Sequence, residues 1–79
     1  MRLDKYLKVS RMIKRRTIAR EACDSGRILV NNKVAKASTN ISINDIIEIH
    51  FGHKAVKVQV LKIKDTSKKD EAEEMFKYL

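Results

Sequence analysis

The chain has 79 residues, 43% of them hydrophobic, with no Trp and no Pro, and its 18 Lys and Arg against 10 Asp and Glu give a formal net charge of +8. A single domain of this size buries only roughly 60% of the surface its unfolded chain exposes, which argues against a deep enzyme pocket. The charge favours a polyanionic partner, and Cys23, the one cysteine, excludes an intramolecular disulfide.

Most of the charge excess lies at the start of the chain. Residues 1–20 hold Arg2, Lys5, Lys8, Arg11, Lys14, Arg15, Arg16 and Arg20 against Asp4 alone, a net +7 of the total +8. No apolar run is long enough for a signal-peptide core or a membrane span, so a cytoplasmic protein without a membrane partner is expected.

The first element expected is a short helix whose apolar side carries Leu3 and Leu7 with Tyr6 and Val9. After a turn near Ser10, a second helix is predicted from about Lys14 to Ser25, with Ile18, Ala19, Ala22 and Cys23 as its apolar stripe and Gly26 as its stop. Arg27 to Val30 and Lys33 to Ala35 then flank Asn31-Asn32, and asparagine tolerates the left-handed backbone of a two-residue hairpin turn. Asn44-Asp45 marks a turn before a strand over Ile46 to Phe51, which Gly52 reverses. In Lys54 to Lys64 the alternation of Val56, Val58 and Val60 gives way to Leu61 and Ile63 on the opposite parity, which points to a bulge or a change of strand partner. Asp65-Thr66-Ser67 offers capping side chains for a final helix with Ala72, Met75, Phe76 and Leu79 on one face. These elements predict one domain over residues 1–64 with a helical extension over 65–79.

Arg16 and Arg20 are four apart and share a helix face, Lys14 and Arg15 flank it, and Lys8 and Arg11 continue the positive surface through the interhelix turn. Like charges at that spacing repel, so such a face is explained more readily by phosphates that neutralise it than by folding. A solvated face that only keeps the protein soluble is the plainer alternative. Membrane binding ranks third, since the first helices lack the Trp, Phe and broad apolar face of an interfacial anchor.

The order of residues in "MRLDKYLKVSRMIKRRTIAREACDSGRILVNNKVAKAS", followed by "ISINDIIEIHF", resembles the S-four RNA-binding domain family, named for small-subunit ribosomal protein four. The likeness rests on "RLDKYL", the basic helix ending at Gly26, the "GRILVNNK" hairpin and the "NDIIEI" strand; Asn32 and Asn44 stand where the family often has Gly. It implies an α+β fold, two N-terminal helices on a small antiparallel sheet with RNA on the helical side, followed here by the C-terminal helix. Residues 52–79 resemble the tail of small stand-alone bacterial ribosome quality control proteins, related to the ribosome-associated heat-shock protein family. That resemblance implies a non-catalytic factor, without cofactor, that binds large-subunit ribosomal RNA and peptidyl-tRNA on an obstructed large subunit. There it would support a partner protein that adds a C-terminal alanine tail. A heat-shock-type recycling factor for stalled large subunits is the neighbouring alternative, and a monomer is expected.

Arg2, Arg11, Lys14, Arg15, Arg16 and Arg20 are the first candidates for RNA contact, because guanidinium forks pair bidentately with phosphates and Lys acts as a point charge. Lys5 and Lys8 are weaker candidates, since either could pair with Asp4 along the helix. Asn31, Asn32 and Lys33 could reach RNA from the hairpin tip, although the turn alone accounts for the two Asn. His50, His53 and Cys23 do not make a convincing zinc set, which needs three or four ligands. Asp70, Glu71, Glu73 and Glu74 suit the first turns of a helix better than paired-carboxylate catalysis, and no nucleophile elbow or phosphate-cradling glycine loop is present. Two rivals of other classes remain: a DNA-binding helix-turn-helix protein, and an adaptor working through Met75, Phe76 and Leu79.

Overall fold

A computed structural model describes all 79 residues. Helix α1 spans Leu3–Val9 and α2 spans Arg16–Asp24; strands follow at Ile28–Val30 (β1), Lys33–Val34 (β2), Ile46–Phe51 (β3) and Lys54–Val60 (β4), then a short helix at Lys69–Glu73 (α3) and a strand at Phe76–Tyr78 (β5). The strands form one antiparallel sheet in the order β2-β1-β3-β4-β5.

The turns follow from backbone chemistry. Asn31 and Asn32 both have positive φ, 52° and 68°, which is what a two-residue turn needs to match the twist of β1 and β2. Asn44 also adopts positive φ, at 77°, where the side chain of Asp45 accepts the Ser42 amide at 2.7 Å and the Asn31 amide group at 3.1 Å. Gly26 ends α2 at φ 77°, a conformation in which a Cβ would be strained.

Period-two patterning sets the sheet's inner face. Ile47 pairs with Val58 and Ile49 with Val56 across β3 and β4, and Ile28 pairs with Ile49 from β1. Ile28, Ile47, Ile49 and Val58 join Leu3, Tyr6, Leu7, Ala19, Cys23, Val60 and Met75 in one core, with half-buried Val56 packed against it. On the outer face Glu48, opposite Lys57, forms an ion pair with Lys57 and lies within hydrogen-bond distance of His50 Nε2, at 2.6 Å. The N-terminus is tied down by Leu3 N–H donating to Thr39 O at 2.8 Å and Ile41 N–H donating to Met1 O at 2.9 Å.

Three sequence expectations need correction. Helix α2 begins at Arg16, not Lys14, and Ile18 is 49% exposed; only Ala19 and Cys23 are buried, small residues that let α2 lie close to α1. The final helix is limited to Lys69–Glu73, after which the chain extends and β5 pairs with β4. An isolated helix of that length is marginal in water, whereas the open edge of β4 offers a full set of backbone partners and Phe76 and Tyr78 favour a pleated surface. The parity slip at Leu61 is the place where this exchange happens, since the Leu61 and Lys62 amides both donate to Met75 O, at 2.8 and 3.1 Å. Finally, Asp65, Thr66 and Ser67 do not cap α3, whose N-cap is Lys68. Asp65 pairs with Lys5 at 3.2 Å and the Ser67 hydroxyl donates to Val9 O at 2.6 Å, so this loop is bound to α1 instead. Of the acidic residues, Asp70 and Glu71 sit in the first turn of α3, whereas Glu73 ends it and Glu74 is its C-cap.

Candidate nucleic-acid interface

The site is organised by Asp4. It falls in the apolar stripe of α1, between Leu3 and Leu7, and its side chain is wholly buried at the junction of α1 and α2. A buried carboxylate is costly unless paired and hydrogen-bonded. Here Oδ1 accepts the Lys5 amide at 2.8 Å and Arg2 Nε at 3.2 Å, while Oδ2 lies 3.3 Å from Arg16 Nε and 3.9 Å from Arg20 Nε. Burial alone would push this carboxyl up; the hydrogen bonds from Arg16, the Lys5 amide and Arg2, with the charge of Arg16, outweigh it and hold the carboxyl below its ordinary value.

The arginines keep their outer edges in solvent: the side chains of Arg2, Arg16 and Arg20 are 46%, 43% and 56% exposed. One interior anion thus gathers three guanidinium groups from two helices and leaves a net +2 facing outward. Repulsion between Arg16 and Arg20 is relieved in part within the protein, by Asp4, so folding contributes more to this face than the sequence reading, which favoured phosphates as the explanation, allowed. Nor is Asp4 the partner of Lys5 or Lys8; Lys5 reaches Asp65, and Lys8 is exposed and forms no ion pair. Beside the cluster, Arg15 is the N-cap of α2 and provides no side-chain cap, so the first amides of that helix stay open on the side where anions are favoured.

The other candidates are distributed around this centre. Lys14 and Arg15 are exposed just before α2. Arg11 holds a left-handed backbone, φ 64°, and its Nη2 donates to Ser67 O at 3.2 Å. Lys33 is exposed at the hairpin, and no hydrogen bond or ion pair links it to the helical arginines. Asn31 is occupied structurally: its Oδ1 accepts the Ile46 amide at 3.0 Å and its Nδ2 donates to Asp45. Elsewhere, the Cys23 thiol is pushed up to about 11 by burial, with Asp4 and Asp24 adding to the shift, and no group of three or more His, Cys, Asp or Glu side chains has the arrangement to hold a metal ion. Met75 is wholly buried and its carbonyl accepts the Tyr6 hydroxyl at 2.7 Å, so an adaptor surface cannot be centred on it. No helix is long and apolar enough to cross a membrane.

The S4 domain matches residues 1–47, which hold both helices, Asp4 and every arginine around it. The chain belongs to the S4 domain family. Among curated S4 relatives, a Streptococcus pneumoniae protein named RQC P-site tRNA stabilizing factor is 56% identical over all of this chain and 90% of that protein. One of the same name from Bacillus subtilis is 54% identical over all of this chain and 92% of that protein. The solved trimeric structure of Vibrio cholerae heat shock protein 15 superposes with a TM-score of 0.92 at 30% identity, covering all of this chain and 81% of the other. The S4 match stops at residue 47, whereas that structural likeness extends through α3 and β5.

The two basic helices are legible from residue order alone. The anchor was missed, although an acidic residue three positions before Leu7 on an otherwise apolar stripe was a signal of burial.

Proposed function

We propose that the protein is a non-catalytic RNA-binding factor that stabilises peptidyl-tRNA on obstructed large ribosomal subunits, contacting ribosomal RNA and the tRNA. In this role it supports a partner protein that extends the stalled chain with C-terminal alanine. The observation that carries the reading is the set of Arg2, Arg16 and Arg20 fixed on buried Asp4 with their outer edges exposed, as groups that bind phosphates must be. The names borne by its S4 relatives agree with a tRNA-binding role in quality control. Arg2, Arg16 and Arg20 bind phosphates at the centre, Lys5, Lys8, Arg11, Lys14 and Arg15 widen the positive field, and Lys33 with Asn31 lies at the margin. A duplex-DNA reading of the helices is disfavoured because Arg16 and Arg20, which a recognition helix would extend toward base edges, are drawn back onto Asp4.

The test is cosedimentation with large subunits carrying peptidyl-tRNA, together with alanine addition to the stalled peptide in the presence of the tailing partner. Arg16→Ala with Arg20→Ala should abolish retention and depress tailing. With about five phosphates engaged, raising salt from ~50 to ~200 mM should weaken wild-type binding by about two to three decades. Retention of the double variant at wild-type level would overturn the reading.

A further inference from the structure

A second cationic site lies outside the Asp4 cluster, at the seam between the end of α1 and the loop that follows β4. Its walls are Lys8, Arg11 and Lys14 on one side and Thr66, Ser67 and Lys69 on the other, around an open cavity of about 530 Å³ whose one hydrophobic lining residue is Val9. Asp65 is the one carboxylate at its rim, and it is drawn toward Lys5 by their ion pair. Lys8, Lys14 and Lys69 have no ion-pair partner of their own.

The seam is built and not accidental. Ser67 donates its hydroxyl to Val9 O, Arg11 donates to Ser67 O, and Lys5 pairs with Asp65, so three side-chain contacts clamp the loop against α1. The clamp holds four cations around one basin, and Arg11 takes a left-handed backbone at the corner. Gathering like charges without an internal anion such as Asp4 disfavours the folded state, and an anionic ligand relieves that. Four cationic side chains and the Thr66 hydroxyl around an open basin suit a hydrated phosphate with its sugar.

We propose that this basin is a second RNA-backbone phosphate site, in which Lys69 and Thr66, beyond the part of the chain matched by the S4 domain, complete a pocket begun by Lys8, Arg11 and Lys14. The proposal rests on the RNA-binding reading above and adds to it a role for the C-terminal segment, which clamps a phosphate between the two ends of the chain. Lys69 acts as a point charge and Thr66 supplies a hydroxyl donor.

The experiment measures binding of the full chain to large subunits carrying peptidyl-tRNA as a function of salt, for wild type, Lys69→Ala, Lys54→Ala and Arg16→Ala. Lys54 lies at the exposed β3–β4 turn, outside both clusters, and serves as the charge control. Lys69→Ala should weaken binding about fivefold and lower the slope of log affinity against log salt by about one, while Lys54→Ala changes neither. Equal effects of Lys69→Ala and Lys54→Ala, or no effect of Lys69→Ala while Arg16→Ala weakens binding, would overturn the second site and leave the first reading standing. No effect of Arg16→Ala would instead overturn the first reading. Because Lys69 is exposed and unpaired, its removal leaves folding intact, which the thermal melt of the same variant checks.

Discussion

Asp4→Asn separates an organised arginine cluster from a diffuse positive surface. Asparagine keeps the shape of the side chain and can still accept the Lys5 amide, but it carries no charge and must turn an NH2 group toward guanidinium donors. The carboxylate receives Arg2 and Arg16 at 3.2 and 3.3 Å, with Arg20 at 3.9 Å. Hydrogen bonds to charged groups contribute ~1.5–3 kcal/mol each. The arginines are about half exposed and regain water when released, so the loss for the whole cluster is discounted to about 2 kcal/mol. That is roughly a thirtyfold fall in the folding constant and a drop in Tm on the order of 10 °C for so small a domain. Because the folded carboxyl is held below its ordinary value, its stabilisation is full above the unfolded pKa of about 3.9 and is lost as pH falls through the lower folded pKa. The Tm gap between wild type and Asp4→Asn should therefore be constant near neutrality and close in strong acid. Binding gives a second reading of opposite sign for the two pictures. The variant is one charge more positive, so a diffuse field predicts tighter RNA binding, whereas displaced arginines predict weaker binding. Thermal melts from neutral to acid pH and a salt titration on ribosomal particles measure both; an unchanged Tm together with tighter binding would refute the role given to Asp4.

Met75→Ala tests whether the C-terminal segment belongs to the core. Met75 is wholly buried and its carbonyl takes the Tyr6 hydroxyl, so truncation should lower stability by ~2–5 kcal/mol in a denaturant titration, and a loss below ~1 kcal/mol would mean that the segment is only appended. Cys23 is 2% exposed and its thiol is pushed up to about 11, first by burial and then by Asp4 and Asp24. It should therefore resist iodoacetamide at pH 8 in the native protein and react in denaturant, and fast native alkylation would contradict its burial against α1.

What the chain order determined by itself was local. Asn31-Asn32 can turn a hairpin because asparagine tolerates positive φ, and the alternation through Val56, Val58 and Val60 marks a sheet face because successive strand residues point to opposite sides. The concentration of basic residues before Glu21 was equally plain. Only the tertiary structure decided two things. One is the fate of residues 74–79: the spacing of Met75, Phe76 and Leu79 suits a helix, but the unpaired edge of β4 is long-range in sequence and drew Phe76–Tyr78 into the sheet. The other is the anchor of the arginines, since Asp4 meets Arg16 and Arg20 across the α1–α2 junction. No local pattern encodes that meeting, because it depends on Ala19 and Cys23 being small enough to bring the two helices together.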